Sequence, residues 1–355
     1  MIKRKNSQKI HLARKCKRNR RFRIIRCYSN PKLRSNKYLK RIYYNKTGIK
    51  NKLSKVTLDL PVEFQILTDT EIVLEFIQTL KDQIKFKHSV RWVDLNFKNV
   101  INIDIGSISV LLSVMEELSI NSIFCSGILP QDKKCRNFML ESGFLRYIKM
   151  IKNDTEDDKD LKSKNFIVKI GKKTIDSEII GNCVKKANYQ LTNTFITNRS
   201  VYTILIEITG NSIEHAYLHE KELSHWFLGI NFVNNIHDDN TEKIIFTVVD
   251  NGSGVLKTIH RRKRLFMDLI NGINNNSNIL DGVFNKKYGS RLKKQNRNKG
   301  LPIIKKRLKE NKIKNLKIIT NNVFNEYSLK KDKLTVLNQK YNGTFFYFEL
   351  DLTCY

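Results

Sequence analysis

The sharpest absence in this chain is acid: the first 58 residues contain no Asp or Glu. Residues 1 to 57 hold 21 Lys or Arg, so the 34 acids of the protein all lie beyond them, facing the other 45 of its 66 basic residues. Most of the formal net charge of +32 is thus gathered in a basic N-terminal arm, residues 1–55, and the rest is only moderately basic. A block of one sign attaches electrostatically to a polyanion, most plausibly nucleic acid, with Tyr28, Tyr38, Tyr43 and Tyr44 available for stacking on bases. It equally fits a solvated leader in a chain whose wealth of Asn, Lys and Ile follows an AT-rich coding bias.

Other absences narrow the class. The cysteines, Cys16, Cys27, Cys125, Cys135, Cys183 and Cys354, form no CxxC pair and no Cys/His spacing suited to zinc. Scattered thiols of this kind fit a reducing, cytoplasmic setting. No apolar run approaches the roughly 18 to 20 residues needed to cross a bilayer, so no membrane partner is expected. The basic N-terminus lacks the apolar core of a secretory signal, although an Arg-rich, acid-free composition is also that of an organelle-targeting peptide. There is no internal repeat. With 355 residues and 40% hydrophobic content the chain can bury cores for two domains besides the arm.

What is present begins at Val56. Over residues 56–150 strands alternate with helices: Val56 to Pro61 extended, Thr70 to Lys85 helical with apolar residues at Ile72, Val73, Phe76, Ile77 and Leu80, then Val93 to Phe97 extended. A strand at Val100 to Asp104, a helix over Ser107 to Leu118, a strand at Ser122 to Cys125 and a helix over Lys133 to Glu141 complete an α/β pattern. Residues 151–164 are charged and aperiodic, as expected of a linker. Over residues 165–355 a strand at Phe166 to Ile170 and helices at Ser177 to Asn188 and Asn198 to Glu222 precede strands at Trp226 to Val233, Lys243 to Val249, Leu316 to Thr320 and Thr344 to Leu350. Between the last two pairs of strands lies a long polar stretch, Lys263 to Asn298, which reads as a functional loop, suited to a lid, or as a disordered insertion.

The first region resembles a STAS domain, the fold of anti-anti-sigma factors. The likeness rests on Val100-Ile-Asn-Ile-Asp104-Ile-Gly-Ser-Ile-Ser-Val-Leu-Leu112 and Asn137-Phe-Met-Leu-Glu-Ser-Gly143. It implies a protein partner for this domain. In that family the aspartate is followed by two serines and the second accepts phosphate; here that position is Gly106, with Ser107 one place out of register.

The second region carries three segments that matter together. Glu207, Asn211 and His215 are four apart, and such positions advance only about 40° around a helix, so they form one slowly turning stripe. Alone, that is equally a polar stripe on an amphipathic helix. A strand ending in Asp250 is followed by Gly252 and Gly254, which let backbone approach a flat ring while the carboxylate accepts from an exocyclic amine. Lys299-Gly300-Leu301-Pro302 then opens a helix whose free N–H groups can face phosphate, with Pro302 tolerated in its first turn.

With Asn342-Gly343-Thr344 before the last strand, these segments resemble the GHKL ATPase superfamily, closest to its anti-sigma serine kinases. The resemblance implies an α/β sandwich with a mixed sheet covered by helices, and ATP and Mg²⁺ as cofactors. It implies Asn211 on the metal, Asp250 on the adenine amine, Gly252 and Gly254 around the base, Gly300 and Leu301 at the phosphates, and Thr344 near adenine. Glu207 becomes the catalytic carboxylate, and His215 a lid or phosphate contact or a helix-packing residue. The chain departs from the family in having one glycine where a GxGxG is usual; Arg297 and Lys299 can donate to phosphate in its place. Three functions follow as expectations: an ATP-hydrolysing conformational switch in a regulatory role, a serine/threonine protein kinase of the anti-sigma type, and an ATP-sensing nucleic-acid adaptor. A histidine kinase is disfavoured because no two-helix hairpin with an acceptor histidine precedes the ATP domain. GHKL proteins commonly dimerise, so a homodimer is also an expectation.

Overall fold

A computed structural model of the chain describes residues 54–86, 90–144, 166–172, 174–216, 225–234, 242–259, 275–285, 287 and 300–355. The arm, the linker and most of the expected lid, with Arg297 and Lys299, lie outside the described residues. Residues 53–355 form one compact unit of mixed α/β structure.

The N-terminal part is parallel. Strands β1 (Ser54–Asp59), β3 (Val90–Asn96) and β5 (Phe124–Ile128) form a sheet in the order β1-β3-β5, beside a small ladder of β2 (Glu63–Phe64) and β4 (Asn102–Ile103). Helices α1 (Thr70–Asp82) and α2 (Ile105–Ile120) supply the crossovers that parallel strands require, and α3 (Lys133–Glu141) follows the last of those strands. Asp104 caps α2, its carboxylate accepting from the Ser107 N–H at 2.6 Å, and Asp132 caps α3 in the same way through the Cys135 N–H at 2.7 Å.

The C-terminal part is built on a five-stranded sheet in the order β6-β7-β8-β10-β9, with β6 (Phe166–Lys172), β7 (His225–Asn234), β8 (Glu242–Asp250), β9 (Lys314–Tyr327) and β10 (Lys333–Asp351). A mixed sheet was expected; every pairing observed here is antiparallel. The reason lies in the connections. Helices α4 (Ser177–Thr192) and α5 (Arg199–Asn211) run from β6 back to an antiparallel β7, and the five-residue connection Ser328–Asp332 folds β9 directly onto β10.

Side chains alternate across this sheet. Trp226, Leu228, Phe246, Val248, Ile318, Phe346 and Phe348 face a core shared with α4, α5, α7 (Asn276–Phe284) and α8 (Gly300–Lys309). Phe227, Val249, Ile319, Phe345 and Tyr347 point the other way, into a core that also contains α1 and α2. The sheet is covered on both faces, which is why Phe345 to Phe348 reads as an unbroken aromatic run. Across that second interface the Ser109 and Thr247 hydroxyls lie 2.9 Å apart, and Gly106 and Gly229 admit the close approach of α2 to the sheet.

Candidate functional site

Asn198 starts α5 by accepting from the Ser200 and Val201 N–H groups at 3.1 and 3.2 Å, and α5 buries Val201, Ile204, Leu205 and Ile208 against the sheet. That leaves Glu207 and Asn211 on its partly exposed side. The helix does not run on unchanged as the sequence suggests. From Ser212 to Ala216 it widens into a π turn, a rare form concentrated at functional positions. His215 lies on that turn; its side chain is not among those described.

At one end of the site Gly300, the first residue of α8, sits against α5. A methyl group placed on Gly300 would lie 3.4 Å from Glu207 Oε2 and 3.6 Å from Asn211 Nδ2. Residues 93 positions apart in sequence thus meet as a carboxylate, an amide and the first residue of a ten-residue helix. The Asn211 Nδ2 atom is buried and has no hydrogen-bond partner among the described residues. An unpaired buried amide costs about 1–3 kcal/mol, which a ligand at this spot would recover. Leu301 packs against the core of α8, and Pro302 stands in the first turn, where no N–H is needed.

The other end is built around Asp250, at the C-terminus of β8 and 4% exposed. Its carboxylate accepts from Ser212 Oγ at 3.0 Å and from the Gly252 N–H at 2.9 Å. Burial pushes its pKa up to about 6, against the pull of these bonds and of the Lys81 ammonium. Thr344 is its partner across the β10–β8 ladder and is itself buried. Gly343, with φ at +150°, passes so close that a Cβ there would lie 2.1 Å from the Asp250 carbonyl oxygen. Gly254 has φ at +78° and is roofed by the Asn321 amide, leaving no room for a side chain.

The two ends are joined through consecutive residues. Asn211 faces Gly300 while Ser212 holds Asp250, so the change from α-helix to π turn at this point lets neighbours serve opposite ends of one site. The structure therefore brings together Glu207, Asn211 and Gly300 at one end and Asp250, Gly252, Gly254 and Thr344 at the other.

Several residues that shape the site were not visible to sequence reasoning. Asn321 donates to the Ser253 carbonyl at 3.0 Å and accepts from the Leu256 N–H at 3.1 Å, and Thr320 accepts from the Val255 N–H at 3.0 Å. Together they pin the glycine loop and the short helix α6 (Val255–Ile259). Tyr341 donates to the Asp250 carbonyl at 3.1 Å. Nothing local in the sequence marks them, since they come from strands far along the chain. A separate groove of about 360 Å³, lined by Lys305, Leu308, Lys309 and Ser328 to Asp332, lies towards the other end of α8 and contains none of the candidate site residues.

Among the described residues no group of three or more His, Cys, Asp and Glu could by itself hold a metal ion. Nor is any helix among them long and apolar enough to cross a membrane. Comparison with protein families, with curated proteins and with solved structures found no match to this chain.

Proposed function

We propose that this chain binds Mg-ATP between α5, α8 and the end of β8, and uses binding and slow hydrolysis as a conformational switch in a regulatory role, in the manner of the GHKL ATPases. The observation that carries this reading is the meeting of Glu207 and Asn211 with the N-terminus of α8, together with the buried, unpartnered Asn211 amide nitrogen. An open helix N-terminus is suited to phosphate, and it lies beside the carboxylate that hydrolysis requires.

The residues fit the roles. Asp250, in its ionised form, accepts a hydrogen bond from the adenine amine, with Ser212 and Gly252 holding the carboxylate in place. Thr344 flanks it on β10, and the two glycines of the loop bring backbone rather than side chain to the base. The first N–H groups of α8, beginning at Gly300, receive phosphate oxygens. Glu207 takes the proton of the attacking water. Asn211 and Glu207 offer oxygen ligands of the kind Mg²⁺ prefers, and with no all-protein metal cage at hand the ion would complete its shell with phosphate and water. When bound, Mg²⁺ offsets the charge on the phosphates. Arg297 and Lys299 lie outside the described residues and enter this reading only as the further phosphate donors that their sequence position beside Gly300 suggests.

The kinase reading draws less support. The position at which a STAS domain accepts phosphate is Gly106, where a methyl group would lie 2.8 Å from Ile66 and 3.0 Å from Phe345. Ser107 beside it is fully buried, with its hydroxyl accepting from the Ile66 N–H at 2.8 Å. A kinase of this build would need an acceptor on another protein.

The test is single-turnover phosphate release. Glu207→Gln should keep Mg-ATP affinity and lose release by about 10²-fold or more, the usual size of a general-base contribution. Unchanged release in that variant would remove Glu207 from the mechanism.

A further inference from the structure

The segment of β10 that leads into Thr344 is held from outside its own sheet. Between Val336 and Tyr341 the β10–β9 ladder loses register, so this stretch has no regular strand partner on that side. Helix α1 of the N-terminal region grips both of its ends. At the start, the Glu71 carboxylate accepts from the Asn338 N–H at 2.9 Å and from the Asn338 side-chain amide at 3.2 and 3.3 Å. At the end, Lys81 donates to the Asn342 carbonyl at 3.2 Å and pairs with Glu117 of α2 at 3.3 Å.

Lys81 is an unusual residue to find there, because its side chain is only 11% exposed. Burying an ammonium is costly unless its donors are used, and here they go to the Glu117 carboxylate and to the backbone of the segment. Burial lowers its pKa, and the charges of Glu117 and Asp250 oppose that. The Asn342 side chain in turn accepts from Lys257 at 3.3 Å, so the residue before Gly343 lies between two cations. On either side of Asn342, Tyr341 and Gly343 lie against the Asp250 carbonyl. A displacement of α1 is thereby passed through six residues to the base end of the site.

We propose that α1 is a clamp on the base end: Glu71 and Lys81 are positioning residues that fix residues 338–343, so the N-terminal region sets nucleotide affinity through them. This rests on the ATP-binding reading for its consequence, while the clamp itself is a property of the nucleotide-free protein. Events that move α1 off β10 lower affinity, and nucleotide binding firms the grip of α1 in return, because coupling between two sites is reciprocal.

The experiment uses the full chain as wild type, Lys81→Met, Lys81→Arg and Glu71→Gln. Amide hydrogen exchange of residues 338–344 is read without nucleotide, and Mg-ATP affinity is read separately. Lys81→Met should speed exchange in that segment and weaken ATP each by about tenfold, the worth of one hydrogen bond from a charged group, with the amides of α8 unchanged. Lys81→Arg should restore both. If Lys81→Met does not fold, Glu71→Gln, a change at a partly exposed position, should still speed exchange at 338–340. Unchanged exchange in folded Lys81→Met or in Glu71→Gln would overturn the clamp. Faster exchange in the variants, with a wild type that binds no ATP, would instead leave the clamp standing and sink the nucleotide reading.

Discussion

Asp250 is the residue on which base specificity would turn in the proposed ATP site, and its burial gives it a pH signature. Its pKa stands at about 6 in the folded protein against 3.8 ordinarily. Between those values the folded state binds more protons than the unfolded, so this group's contribution to stability is fully present below about pH 4 and lost as pH rises through about 6. Asp250→Asn should therefore raise stability at pH 7 by about 3 kcal/mol, at roughly 1.4 kcal/mol per pKa unit, measurable by urea unfolding. The same substitution should lower affinity for ATP while leaving GTP little changed. In the proposed site an adenine amine would donate to the ionised form, so preference for ATP over GTP should fade as pH drops below about 6. Comparing the two nucleotides cancels the titration of their phosphates. A preference that holds constant from pH 8 to pH 5 would speak against Asp250 as the base-reading group.

Elements place these residues, and some were legible before the fold was seen. The helix Lys133–Glu141 and the helix start at Thr70 follow from apolar spacing, and both occur as read. Helix α7 does not announce itself. It lies inside the stretch expected to be a polar loop, and its Asn and Ser letters favour turns. Only packing reveals it: Asn275 caps it through the Asn278 N–H at 2.9 Å, and Ile279, Leu280 and Phe284 are buried. The π turn after Asn211 is equally silent, because helical periodicity cannot register one extra residue per turn at a helix end. Two glycines separate the roles of these elements. Gly343→Ala puts a Cβ 2.1 Å from the Asp250 carbonyl at a φ of +150°, and should cost about 3 kcal/mol or more, read as a loss of folded protein on heating. Gly300→Ala meets Glu207 at 3.4 Å, an ordinary contact, and should keep its melting temperature while Mg-ATP affinity falls about tenfold as the phosphate end narrows. If Gly300→Ala binds as the wild type does, phosphate does not approach the start of α8.

At the scale of the whole molecule the two α/β regions share a core. Residues from α1 and α2 pack with Phe227, Val249, Ile319 and Phe345 of the five-stranded sheet, and the Ser109–Thr247 pair lies buried between them. Reading the chain as a run of segments obscures this, yet one signal was available: α2 is apolar nearly all round, with Ile105 to Met115 buried without a break. A helix of that kind must be covered on more than one side, and a three-stranded sheet covers one. Residues 53–355 should accordingly unfold in a single calorimetric transition, and residues 165–355 expressed alone should expose an apolar sheet face and aggregate. Two resolved transitions would mean that the shared core contributes little. The central claim is tested most directly by calorimetric titration of the full chain with ATP, with and without Mg²⁺, in the wild type and in Asn211→Ala. Magnesium-dependent binding in the wild type that vanishes in a folded Asn211→Ala is the expected result; absence of binding in the wild type, or equal binding in both, would contradict an ATP site between α5, α8 and β8.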